Sequence, residues 1–179
     1  MGLFGKIAGD VFNTVLDTLK NGKPNEGGGS ADFTPAPAVE EKKDMELRFG
    51  SSAPVPYADN INGTTITLML NFYGTAKVSA CDSALLKANG GLDGLQIALR
   101  TQIVAAVLES IMKCAQANVR FAMLPMKSNE IAENVRASLQ DKWRSSYGVS
   151  LDSISIQSIT LTEESMRQYQ ELRKAQMGL

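Results

Sequence analysis

Thr64-Thr65-Ile66-Thr67-Leu68-Met69-Leu70-Asn71-Phe72-Tyr73 is the run on which the fold turns. Apolar and mixed residues alternate along it with a period of two. Ile66, Leu68, Leu70 and Phe72 fall on one side, and Thr65, Thr67, Met69, Asn71 and Tyr73 on the other. Alternation of this kind marks a strand with one buried face. Met69 and Tyr73 on the second face point to a further layer or subunit against it. Gly74 to Val78 either continue this strand or pair with it. On its N-terminal side, Asn62-Gly63 is a hairpin signal, and Asp59-Asn60 is a second turn signal. Pro54 and Pro56 interrupt pairing there, and Met45, Leu47 and Phe49 alternate as a short strand.

Beyond the strand the period changes. Asp82 to Leu86 reads as a short helical turn closed by Asn89-Gly90-Gly91. Over 92–118, Leu92, Leu95, Leu99, Ile103, Ala106, Val107, Ile111 and Cys114 advance in steps of one, three and four, the stripe of a buried helix. Gly94 is the place for any bend. Val119 to Leu124 is a helix end or a short strand, stopped by Pro125. Ser128 is positioned to cap a second helix, with Glu130 in its first turn. Ile131, Val135, Leu139, Trp143 and Tyr147 form that helix's inner stripe, and Gly148 supplies a left-handed stop. The single tryptophan reads as a core or edge anchor. In 149–159 the parity breaks twice: Val149 and Leu151 share one face, Ile154 and Ile156 take the other, and Ile159 returns. Bulges or burial on both faces would account for that. Thr162 then caps a last helix whose narrow stripe is Met166, Tyr169 and Leu172, suited to docking on another chain and assigned here as an oligomer contact.

The N-terminal part is separate. Residues 1–20 read as an amphipathic helix, with Phe4, Ile7, Ala8, Val11, Phe12, Val15, Leu16 and Leu19 on one face. A helix this short needs a surface to lie on. Protein and membrane interface both remain open, so Phe4, Ile7, Val11, Phe12, Val15 and Leu19 are candidate membrane or partner contacts. Lys6, Asp10, Asp17 and Lys20 balance in sign, which makes attraction to anionic lipid weak. Residues 21–44 read as a linker, flexible at Gly27-Gly28-Gly29-Ser30 and stiffer at Pro35-Ala36-Pro37-Ala38. The folded domain is placed at 45–179.

The chemistry the chain can carry is narrow. It has no histidine, so no Ser-His-Asp or Cys-His arrangement and no histidine-containing zinc site can be built from it. Cys81 and Cys114 cannot make a four-thiolate site, and they read as reduced cysteines in or near a core, with one disulfide left open. Glu163 and Glu164 diverge by about 100° on a helix and suit the helix dipole better than one shared site. The Gly27–Ser30 run lacks the lysine and the helix of a phosphate loop. Eighteen basic and 19 acidic side chains leave a net charge of -1, without the footprint of a nucleic-acid binder. At 44% hydrophobic and 21% charged in 179 residues, one domain with a real core is expected. No run of eighteen apolar residues marks a membrane span, and residues 1–20 lack a signal-peptide pattern. The reading is therefore no enzyme, no cofactor and no metal.

The run Tyr147-Gly148-Val149-Ser150-Leu151-Asp152-Ser153-Ile154-Ser155-Ile156-Gln157-Ser158-Ile159-Thr160-Leu161-Thr162-Glu163-Glu164 resembles the closing element of SPFH (Band 7) domains, the stomatin, prohibitin and flotillin relatives. Those domains place a Tyr-Gly pair before an isoleucine-bearing strand and enter a helix through Leu-x-Glu-Glu. Asn62-Gly63 with 64–78 looks like their late strands. Leu99-Arg100 with Ile103 resembles their first long helix, and Leu139 to Trp143 the second. The opening Met1-Gly2-Leu3-Phe4 is similar to a bacterial virion-core-like subgroup linked to membrane-stress scaffolding. The resemblance covers 45–177 and implies a shortened relative. It implies an α+β fold, a small antiparallel or mixed sheet packed with two long helices. It also implies a non-catalytic scaffold or adaptor that forms a homo-oligomer. Its partners would be membrane-surface lipid or a second scaffold protein, in the cytoplasm or on the inner face of the membrane. The alternative is a soluble assembly protein whose N-terminal helix docks on a neighbouring subunit.

Overall fold

A computed structural model describes residues 43–61 and 63–177. The N-terminal helix, residues 1–42 of the reading above and Gly178 lie outside the described residues.

The decisive strand is longer than its clearest stretch. β3 (Thr64–Ala80) runs for 17 residues and pairs along both edges. One edge takes β1 (Asp44–Gly50) and β2 (Val55–Ile61), and the other takes β4 (Val149–Leu161). All three pairings are antiparallel. Ile61 pairs with Thr64, and Gly63 has φ +86°, as tight hairpin connections require.

Between β1 and β2 the chain takes five steps, Gly50 to Val55, while β3 takes three, Tyr73 to Leu70. The two extra residues preserve parity, so Met45, Leu47, Phe49, Tyr57, Asp59 and Ile61 all face inward. Ser51 keeps the break hydrogen-bonded: its N–H donates to the Phe72 carbonyl (3.0 Å), and its Oγ accepts from the Phe72 N–H (3.2 Å). Two expectations are corrected here. Pro56 does not interrupt pairing but stands opposite Met69 within β2, an edge strand that can spare the N–H. Asp59-Asn60 is not a turn but the last part of that strand.

β4 carries the parity breaks, and the register explains them. Lys77 pairs with Ser153 but Val78 with Leu151, leaving Asp152 as an extra residue. Tyr73 pairs with Ser158 but Gly74 with Ile156, leaving Gln157 as a second. Each bulge flips the strand by one position. Val149, Leu151, Ile156, Ile159 and Leu161 are thereby buried on one face, with Ile154 half-buried. Gly74 sits at the second bulge. A Cβ there would lie 2.2 Å from the Ser155 carbonyl oxygen and 2.6 Å from the Phe49 ring.

One face of the sheet is covered by two helices. α1 (Ser83–Ala88) is a single short turn with Asp82 as its cap, accepting from the Ala84 and Leu85 N–H groups at 3.0 Å. α2 (Gly91–Gln116) lies on β1 and β2, and α3 (Ser128–Tyr147) lies on β4 and against α2. α2 runs unbroken through Gly94. It buries Leu92, Leu95, Leu99, Ile103, Val107 and Ile111, together worth roughly 9–18 kcal/mol before entropic costs. Ala106 and Cys114 are only half-buried. α3 buries Ile131, Val135, Leu139 and Trp143 as its spacing requires. Trp143 is a core anchor: its Nε1–H donates to Gln102 Oε1 (3.0 Å), and Gln102 Nε2–H donates to Tyr147 Oη (3.0 Å). Between α2 and α3 the apolar run 119–124 is neither strand nor α-helix but leads into two 3-10 turns, Phe121–Met123 and Pro125–Lys127. Ser128 is not a cap. It is the first helical residue, at φ -54°, and no side chain caps that end.

Gly148 joins the two halves. Its φ of +67° ends α3 in the left-handed region, and its carbonyl accepts the N–H groups of Cys81 (2.9 Å) and Asp82 (3.1 Å). A Cβ would meet the Asp82 carbonyl oxygen at 2.4 Å. The last helix, α4 (Glu163–Met177), grows directly from β4. Thr162 Oγ1 accepts from the Ser165 N–H (3.4 Å), close to the capping role expected of it. Beyond the end of β4, Met69 is still satisfied. Its carbonyl accepts from the Thr162 N–H (2.8 Å), and its N–H donates to buried Ser165 Oγ (2.8 Å).

The bulge at Gly74 predicts that Gly74→Ala destabilises the fold by about 2 kcal/mol or more, because backbone and ring must both move. Chemical denaturation of the full chain checks this. A loss below about 0.5 kcal/mol would mean that the site yields freely.

Candidate functional site

Among the described residues, no three His, Cys, Asp or Glu side chains gather as a metal site. Cys81 is exposed and Cys114 half-buried, and neither is in a disulfide. Burial pushes the Cys114 thiol above its ordinary value, against the pull of Lys127 and with a push from Glu130. A raised thiol holds less thiolate and is a poorer nucleophile.

Cys114 lines an open groove of about 640 Å³ between the C-terminal half of α2 and the N-terminal half of α3. Glu109, Lys113, Lys127 and Glu130 rim it. These charges pair with each other, Lys113 with Glu109 at 2.7 Å and Lys127 with Glu130 at 2.6 Å. Val119 closes one end, and its carbonyl accepts from the Tyr57 phenol. Burial drives that phenol well above its usual range, with Cys114 and Asp59 adding to the effect. Tyr57 is therefore a neutral donor fixed to the backbone.

Asp59 is the anomaly. It faces the core from β2 at 1% exposure, and neither carboxylate oxygen has a hydrogen-bond partner among the described residues. Desolvating a carboxylate without a partner costs stability.

The exposed surfaces are more informative. Of the oligomer contacts read from the sequence, Met166 is 37% exposed, and Leu172 is half-buried. Tyr169 packs within its own chain, edge-on to the Phe121 ring at 5.9 Å between centroids and 77° between planes. Phe4, Ile7, Val11, Phe12, Val15 and Leu19 lie outside the described residues. Two of the outer strands are poor docking strips. On the outer strands, β2 carries Pro56, and β4 is bulged twice. The Leu151 N–H is also taken by Gln140 Oε1 of α3 (3.0 Å).

The surface that sequence reading passed over is the outer side of α2. Ile97 is 78% exposed and Met112 55% exposed, and Gly94, Ala98, Thr101 and Ala105 are exposed on the same helix. Among the described residues, α2 is the one helix long and apolar enough to cross a membrane by length and composition. That replaces the expectation that no segment qualifies. α2 is apolar on average without being an uninterrupted apolar run, and 28% of its most apolar stretch is buried in the fold. The signal was present in the sequence as a second spacing on the same helix. The stronger inner stripe concealed it.

No family model matches the chain, and no curated protein matches it.

Two outcomes follow for the side chains of this region. Alkylation by iodoacetamide at neutral pH should label Cys81 first, with Cys114 catching up only as the pH rises above the ordinary thiol range. Peptide mass spectrometry reads the order, and equal labelling at neutral pH would contradict it. Replacing the unpartnered carboxylate, Asp59→Leu, should raise stability by about 1–3 kcal/mol in thermal or chemical denaturation. A loss of stability would show that the carboxylate is compensated.

Proposed function

We propose that the chain is a non-catalytic assembly module of the SPFH type, which self-associates and attaches peripherally to a membrane through residues 3–19. One observation carries this reading. α2 fills the core with one side and still presents an apolar outer side to solvent. Among exposed Asp93, Arg100, Glu109 and Lys113, the helix leaves Ile97 and Met112 open, apolar surface that contact with a partner would bury. The order of elements adds support: strands, two long helices, a strand opening at Tyr147-Gly148, and a closing helix, as the resemblance implies. The raised Cys114 thiol and the self-paired rim of its groove favour a surface role over a chemical one.

Attachment is assigned to the N-terminal face because Phe4, Ile7, Val11, Phe12, Val15 and Leu19 would lie on one side of a helix with balanced charge on the other. Binding by that face is apolar in origin. It should change little with salt or with the fraction of anionic lipid.

Flotation of the full chain with phosphatidylcholine vesicles, with and without phosphatidylglycerol, tests the attachment. The expected result is co-flotation with both vesicle types, reduced about tenfold or more by Phe4→Glu together with Phe12→Glu. Equal flotation of the double variant would overturn the anchoring role. A defined oligomer that ignores vesicles would instead favour docking of the N-terminal segment on a neighbouring subunit.

A further inference from the structure

β1 and β2 are both strands of seven residues on the same edge of β3, and they are not built alike. β1 buries three apolar side chains, Met45, Leu47 and Phe49. β2 buries two, Tyr57 and Ile61. Between them it buries the Asp59 carboxylate, which has no hydrogen-bond partner among the described residues. The middle inward position of β2 therefore costs free energy where that of β1 supplies it. Pro56, opposite Met69, brings no N–H to the ladder.

The places of the two strands on β3 differ as well. β1 pairs with residues 73–79, where β4 pairs along the other edge. β2 pairs with residues 64–70, and of these β4 reaches Leu70 alone. Over 64–69 the sheet is thus a two-stranded ribbon. A ribbon of two strands has little stability of its own and depends on what it packs against. Tyr57, Ile61 and Leu68 are buried on its inner side, and Ile66 is half-buried. The Tyr57 phenol donates to the Val119 carbonyl beyond the end of α2, and Met69 at the base of the ribbon is bonded to Thr162 and Ser165.

We infer that β2 with residues 64–69 of β3 is a strap that lifts from α2 as one unit, while β1, β4 and residues 73–80 of β3 stay folded against the helices. Its fixed points are on the page. Ser51 holds the chain entering β2, because its N–H and Oγ both bond Phe72. Leu70 holds the chain leaving the ribbon, because β4 still pairs there through Leu161. Asp59 sets the balance between the two states. Closed, its carboxylate is dry and without a hydrogen-bond partner. Open, it is in water. The carboxylate favours opening, whereas Tyr57, Ile61 and Leu68 favour closure. Opening uncovers the side of α2 on which β2 packs and releases the Val119 carbonyl.

Native-state hydrogen exchange of the full chain, read by NMR across low concentrations of denaturant, tests the strap. The ladder amides of 55–61 and 64–68 should exchange about 100-fold or more faster than those of 73–78, with a weaker dependence on denaturant. Asp59→Leu should slow the strap amides about tenfold or more, and Tyr57→Phe should speed them about fivefold, by loss of the phenol's bond. Strap amides that match 73–78 in rate and in denaturant dependence would overturn the inference, because the domain then opens only as a whole. Strap rates unchanged in Asp59→Leu would overturn it equally, because the carboxylate then does not favour the open state. If Asp59→Leu fails to fold, the wild-type comparison and Tyr57→Phe decide, and strap rates unmoved by Tyr57→Phe would contradict the inference.

Discussion

The pairing of β3 on both edges is the constraint from which the rest of the structure follows. A strand of 17 residues with partners on each side fixes which side chains face inward along its length. The two-residue insertion between β1 and β2 keeps that parity on one edge. The two single-residue bulges of β4 adjust it on the other. With the inner face fixed, α2 and α3 have one surface to cover, and the Gly148 junction sets where α3 must end. Were β4 to slip by one residue, Val149, Leu151, Ile159 and Leu161 would turn to solvent together. That would remove roughly 6–12 kcal/mol of burial, comparable with the whole stability of a small domain.

Much of this was legible because the physics is local. Alternation at Thr64–Tyr73, the three-and-four stripe of α2, the positive φ of Gly63 and the stop at Gly148 each depend on a few adjacent residues. Even the parity breaks of 149–159 could be seen as bulges, although their positions at Asp152 and Gln157 required the partner strand. What failed was decided by tertiary context. Pro56 and Asp59-Asn60 carry turn-like residue types, but pairing with β3 overrides that preference. Ser128 has a capping residue's chemistry, but the 3-10 turn before it delivers the chain already in helical geometry.

The site was less legible than the fold for a physical reason. An inner stripe announces itself by periodicity, because burial demands large apolar residues. The outer side of α2 is built largely of small residues, and these look like nothing in particular. Gly94, Ala98, Thr101 and Ala105 are ordinary helix-surface residues until Ile97 and Met112 are seen to stand out of the same surface. The chemical groups behave in the opposite way. Cys114, Tyr57 and Asp59 look suggestive as a list of residue types, yet burial raises the first two away from reactivity. The third stands without a hydrogen-bond partner among the described residues.

Self-association as proposed requires α2 to be a helix with two working faces. Methyl NMR of the full chain on dilution reads both faces at once. The methyl signals of Ile97 and Met112 should move with concentration, whereas those of buried Leu99 and Ile103 and of exposed Met126 should not. Signals of Ile97 and Met112 that hold still while Met126 moves would contradict it.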